Sequence, residues 1–315
     1  MKLLICYLTS SQRHYSFKPF LHFLLQSQRK HEWTLLVMTN DDDCGFYNEL
    51  LAPLELNSAV LQVDNTGGNY IDKVRSAALI AQQNRIPYLM KCDNDLFFSG
   101  ETLDFMIDRL DSTLSGDKHL TLSPVLTNGI PTVEYFVRDF MDPVAQIAAK
   151  RQFMDTVFYA RDGTDYTPLN EYTHQSTSGE WNPAAFFDAV RQLPTLYKGV
   201  HPVRFNTEAN HFINQYVVSH KHAFFERKPS GLIVDNDSPY LCDSVFCIRI
   251  DRYLSILDDM TLFVDGFDEV PLNTYAEKHG MNHVFVENGY ALHMMYNWLE
   301  NHTDYEKRLC DQLFQ

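Results

Sequence analysis

The chain has 315 residues, of which 45% are hydrophobic and 21% charged, and its formal net charge is −15. That size and balance suit a globular protein with a substantial core, either one large α/β domain or one with an elaborated second half. The acidity argues against broad, nonspecific binding to nucleic acid or to an anionic membrane, and no apolar run reaches the length of a membrane span. Six cysteines include no Cys-x-x-Cys pair, and several lie in apolar runs, so free thiols are expected. The opening MKLLICYL is too short and too soon interrupted for a signal peptide, which makes the cytoplasm the expected location.

Residues 2–8 read as a first strand and 17–28 as a helix, from the spacing of Phe20, Leu21, Phe23, Leu24 and Leu25. A second strand over 33–38 runs into Thr39-Asn40-Asp41-Asp42-Asp43. A short helix over 46–51 and a third strand over 60–63 follow. After the loop at 65–69, a helix is predicted over 71–84. A fourth strand over 88–91 then ends at Asp93-Asn94-Asp95. This alternation builds a mostly parallel sheet with helices on both faces. Ligands of such sheets sit beyond the carboxyl ends of the strands, where three polar loops fall: Thr9-Ser10-Ser11, 40–43 and 93–95.

A helix over 103–114 and a strand over 120–124 continue the pattern. From about residue 128 the alternation becomes irregular. Residues 130–205, rich in Pro, Tyr, Phe and Trp, read as inserted helices and loops, and 206–220 as a helix. Residues 241–250 read as a strand pair or one bent strand, and 251–260 as a helix. The stretch 265–279 holds an acidic pair and then a helix, 284–287 is a strand, and 291–295 extends the sheet. A polar amphipathic helix over 298–315 closes the chain. The expected division is 1–127, 128–240 as an insertion, and 241–315 as the completion of the sheet.

Two carboxylates one residue apart at the exposed end of a buried strand are costly unless a cation meets them. A Mg²⁺ or Mn²⁺ ion holding a diphosphate would do so, because hard cations take carboxylate and phosphate oxygens. The plainer reading is an acidic turn, since Asp and Asn bond their own backbone there.

The ordered set of these motifs resembles nucleotide-sugar glycosyltransferases of the GT-A fold, most closely glycosyltransferase family two, over roughly residues 1–125 and 240–298. The resemblance implies a Rossmann-like, mostly parallel central sheet flanked by helices, with 128–240 as a helical or irregular acceptor-side insertion. It places Thr9 and Ser10 against the nucleoside, and Asp41 and Asp42 on the base and ribose. It places Asn69, Lys73 and Arg75 on the donor, beside Gly67 and Gly68. Asp93-Asn94-Asp95 stands as the family's Asp-x-Asp motif, with Asp95 the direct metal ligand and Asp93 reaching the ribose or the metal. In GFDEVPLNTYAEKHG, Asp268-Glu269 before Leu272 matches the family's acidic pair, with Glu269 in the position of the catalytic base. Ala291-Leu292-His293 matches the segment whose His completes the metal site.

The sequence departs from the family in three ways. The acids stand as Asp-Glu rather than Glu-Asp, no Arg follows in the next helix, and the Gly-Gly loop is looser. Each residue also has an ordinary structural reading. His293 suits a buried strand histidine, Asp268-Glu269 a helix start favoured by the macrodipole, and Arg75 a solvated helix face. Trp181, between Glu180 and Asn182, reads either as core or as a stacking platform for an acceptor.

The resemblance implies inverting, metal-dependent transfer from a nucleotide sugar, with a UDP-sugar as the expected donor and a saccharide or other hydroxyl as acceptor. The stretch 220–228, with Lys221, Arg227 and two phenylalanines, opens an alternative acceptor, a hydroxymethylated base in DNA. A nucleotidyltransferase would want glycines near the first strand, which LTSSQRHYS lacks. The non-enzyme alternative is a module that binds a nucleotide sugar without turnover.

Overall fold

The computed structural model describes residues 1–10, 13–39, 44–62, 70–129, 132–154, 159–162, 165–168, 207–234, 240–259, 268–295 and 301–314. The first half alternates as expected: β1 (Leu3–Thr9), α1 (His14–Gln26), β2 (Trp33–Thr39), α2 (Cys44–Leu51), β3 (Ser58–Gln62), α3 (Tyr70–Gln83) and β4 (Tyr88–Asp93). Then come β5 (Leu96–Phe98), α4 (Thr102–Leu114), β6 (His119–Leu126), α5 (Thr132–Phe140), α6 (Pro143–Met154) and a hairpin of β7 (Tyr159–Asp162) with β8 (Asp165–Pro168). The remainder is α7 (Thr207–Ser219), α8 (Lys221–Phe225), β9 (Gly231–Val234), β10 (Val245–Arg249), α9 (Ile250–Asp258), α10 (Glu269–His279), β11 (Asn282–His293) and α11 (His302–Phe314).

Nine strands form one sheet in the order β3-β2-β1-β4-β10-β6-β11-β5, with β9 also paired to β11. β1, β2, β3, β4, β6 and β11 run one way, whereas β5, β9 and β10 run antiparallel to their neighbours. The sheet is therefore mostly parallel and Rossmann-like, flanked by helices.

Successive side chains of a strand point to opposite faces, and both faces here are buried, which is why the strands read as continuous apolar runs. Leu3, Ile5 and Tyr7 pack with α1 and α4; Leu4, Cys6 and Leu8 pack with α3 and α9. All six cysteines are free, and all but Cys44 are buried.

The structure differs from the sequence reading in three places. Residues 241–244 are not strand; they lead into β10, which is a single strand. The two predicted segments 284–287 and 291–295 are one strand, β11, broken in register between Val286 and Tyr290 where Asn288 takes φ 58. Leu96–Phe98, for which no strand is predicted, pairs with β11 as β5.

Candidate active site

β1 and β4 lie side by side in parallel with Leu8 opposite Asp93, so their polar ends share one side of the sheet. A cleft of about 370 Å³ opens there. Of the sequence-predicted residues, Thr9, Ser10, Lys73, Asp93, Asn94, Asp95, Glu269 and His293 line it. β10 enters beside β4 in the opposite sense, so its lead-in, not its end, reaches this cleft and delivers Asp243.

The acidic triplet is held from several sides. Arg13 Nη1 donates to Asn94 Oδ1 at 2.8 Å, and the Met294 N–H donates to the Asp95 carbonyl at 3.0 Å. Asp95 is buried, and its Oδ2 accepts no hydrogen bond; it stands 3.5 Å from Arg13 Nη1 and 3.5 Å from His293 Nε2. Burial opposes ionisation of Asp95, but His293 and Arg13 outweigh it and hold the carboxyl well below the usual range. Asp93 goes the other way: desolvation in the cleft raises it to about 6 despite Lys91, with Asp243 adding to the rise.

Lys91 is the cation of the other flank. It is 1% exposed, and its Nζ lies 3.1 Å from Asp93 Oδ1 and 3.3 Å from Asp243 Oδ2 while donating to the Asp243 carbonyl at 2.6 Å. Burial would lower the ammonium, yet Asp243 and Asp93 carry it above its ordinary value. Asp243, opposed by burial but stabilised by Lys91, is held below the usual carboxylate range.

The acidic pair splits into two roles. Asp268 is fully buried, accepts from the Tyr253 hydroxyl and faces Asp243; burial, then the Asp243 charge, raise it to about 8 against the pull of Lys91. It thus keeps its proton at neutral pH. Glu269 opens α10 and turns into the cleft, where it accepts from the Tyr240 hydroxyl and weakly, at 3.5 Å, from the Asp243 N–H. Asn273 braces the segment by bonding both Leu241 and the Glu269 carbonyl.

Four carboxylates, Asp93, Asp95, Asp243 and Glu269, line the cleft together with Lys73, Lys91, Arg13 and His293. Asp95 Oδ2 and His293 Nδ1 are both buried without a hydrogen bond. Asp93, Asp95 and His293 would hold a divalent ion. Among the described residues, Cys242, Asp243 and Glu269 bring ligand atoms within 4.8 Å of one another, which Asp93, Asp95 and His293 do not do.

Other predicted residues stand elsewhere. Arg75 turns away from the cleft to Asp258 and the Leu257 carbonyl on α9. Lys221 donates to the Gln312 carbonyl at 2.9 Å, and Arg227 to the Asp139 carbonyl and Asn288, both off the cleft. Asp41, Asp42, Asn69 and Trp181 lie outside the described residues. Sequence reasoning missed Arg13, Lys91, Asp243 and Glu306. A lysine inside a buried strand was the one available signal for Lys91, since lysine is almost never fully buried unpaired.

No family of known proteins matches the chain, and no curated protein matches it. Among solved structures it is similar to a provisionally named nucleotide-diphospho-sugar transferase from Desulfovibrio desulfuricans G20, at 12% identity and a TM-score of 0.30. That match covers 41% of this chain and 61% of the other, so the chain spans less than two thirds of that structure's length. No helix among the described residues is long and apolar enough to cross a membrane.

Proposed function

We propose that this protein is an inverting, metal-dependent glycosyltransferase that moves a sugar from a nucleotide sugar, with a UDP-sugar as the first donor to test, onto an acceptor hydroxyl. The observation that supports this reading is convergence. Residues 93–95, 269 and 293, remote in sequence, meet in one cleft at the ligand end of a mostly parallel sheet. Asp93, Asp95 and His293 would hold a divalent Mn²⁺ or Mg²⁺ ion, which would supply neutralising charge for a diphosphate.

Glu269 takes the acceptor proton as the acceptor oxygen bonds to the anomeric carbon. The bond from that carbon to the diphosphate oxygen breaks, and its electron pair leaves with the diphosphate. Attack on the face opposite the leaving group inverts the anomeric centre. Asp268, carrying its own proton, serves as a brace and not as the base. The acceptor class is a saccharide or another hydroxyl-bearing molecule.

The test is calorimetric titration of metal-free protein with UDP, with and without Mn²⁺, on wild type and Asp95→Asn. UDP binding that needs both the metal and Asp95 supports the reading. Absence of binding by UDP and every other nucleoside diphosphate in all four cases overturns it.

A further inference from the structure

Arg13 has no place in the reading above, yet it joins the acidic triplet to the last helix of the chain. Its Nη1 donates to Asn94 Oδ1 at 2.8 Å, and its Nη2 donates to Glu306 Oε1 at 3.0 Å. Glu306 is fully buried and also accepts from the Tyr15 hydroxyl. The Arg13 side chain is 14% exposed, and it lines the cleft. Its approach to Asp95 Oδ2, at 3.5 Å, is electrostatic only, because that oxygen accepts no hydrogen bond.

A buried ion triad of this kind adds little stability over well-packed apolar residues. It is costly to keep unless its charge is used. Guanidinium presents a planar fork of donors matched to phosphate oxygens. Arg13 and Asp95 line the same cleft, 3.5 Å apart, so a diphosphate held beside Asp95 would meet that fork.

We propose that Arg13 is a diphosphate-binding residue of this cleft, with Glu306 as its positioning residue. Loading of the donor transfers the guanidinium from Asp95 to the phosphate oxygens, and Glu306 keeps it facing the cleft throughout. As the sugar–oxygen bond breaks, Arg13 meets the negative charge left on the diphosphate. This rests on the cleft being a nucleotide-sugar site.

The experiment measures Mn²⁺ alone, then UDP and UMP in saturating Mn²⁺, by calorimetry on wild type, Arg13→Gln, Arg13→Lys and Glu306→Gln, with circular dichroism melts as the folding control. Two changes of opposite sign are expected in Arg13→Gln. Mn²⁺ alone binds severalfold tighter, because a competing cation has left Asp95. UDP binds roughly 10- to 100-fold weaker, as for loss of a charge-assisted hydrogen bond, and its preference over UMP shrinks. Arg13→Lys recovers part of the loss, and Glu306→Gln weakens UDP by less than Arg13→Gln. Should Arg13→Gln fail to fold, the lysine variant carries the test through its own reduced preference for UDP over UMP.

Wild type that binds UDP while Arg13→Gln binds it equally well overturns this proposal alone. So does a variant that loses Mn²⁺, UMP and UDP in equal measure. Wild type that binds no nucleoside diphosphate overturns both readings.

Discussion

Lys91→Met keeps most of the side-chain volume and removes the charge. The ammonium stands 3.1 Å from Asp93 and 3.3 Å from Asp243 and is 1% exposed, so both carboxylates lose a desolvated partner. One such pair at 4 Å is worth about 4 kcal/mol at an effective dielectric of about 20, and stripping one partner from a buried pair costs about 3–5 kcal/mol. With two carboxylates stranded, the loss at pH 7.5 belongs at the upper end of that range, about 4–5 kcal/mol. That is a large part of an ordinary stability of about 5–15 kcal/mol.

The loss is also pH-dependent. In the wild type, Asp243 is depressed, so its contribution is present above the unfolded carboxylate value and lost as pH falls through its lower folded one. Without Lys91, burial raises Asp243 instead; the penalty is absent below about pH 4 and grows with rising pH. The deficit should therefore shrink below about 2 kcal/mol near pH 4.5, as the stranded acids take up protons. Urea denaturation of both proteins at pH 7.5 and 4.5 measures it. A deficit under about 1 kcal/mol at pH 7.5, or one that ignores pH, refutes the argument.

Asp268, raised to about 8, binds a proton in the folded chain that the unfolded chain has released above about pH 4. Its stabilisation is complete below that unfolded value and is lost as pH rises to about 8, so Asp268→Asn should flatten the decline by roughly 1 kcal/mol per pH unit; melts across that window read it. Asn210 Nδ2 donates to the Met294 and Met295 carbonyls just after His293. Asn210→Ala should cost about 1–3 kcal/mol and weaken Mn²⁺ binding; unaltered Mn²⁺ affinity would detach this support from His293. Arg75→Ala should cost under about 1 kcal/mol, its partner Asp258 being 67% exposed, and leave UDP affinity unchanged. A tenfold loss of UDP affinity would return Arg75 to the donor site.

The sheet was legible because its strands are buried on both faces. Leu3–Thr9, Trp33–Thr39 and Tyr88–Asp93 are buried, largely apolar runs that end in polar turns. Strand ends mark the ligand side of such sheets, so Thr9, Asp93 and Asp95 were locatable from order alone. β5 and β9 were not: at three and four residues they carry too little period to separate from loop. β11 was split by a break in register at Asn288.

Three of the four missed site residues share one cause. Arg13, Asp243 and Glu306 each look like a solvated charge in local sequence, and only tertiary pairing removes them from water. Asp243 in particular reaches the cleft because β10 is inverted, a property of topology that no local pattern carries.

Two of these ion pairs have a consequence for how the chain assembles. Lys91 and Asp243 are 152 residues apart, and Arg13 and Glu306 are 293 apart. During synthesis the N-terminal strands emerge first, and their apolar runs favour early collapse. Yet Lys91 and Arg13 gain these carboxylate partners only once the last quarter of the chain has arrived. Until then the nascent sheet must keep its ligand end hydrated, with β4 unpaired on the side that β10 will occupy. Contacts of such separation are slow to form. The half-made sheet, with its β4 edge still open and its charge unmatched, is the species most exposed to mispairing with another chain and the one a chaperone would meet.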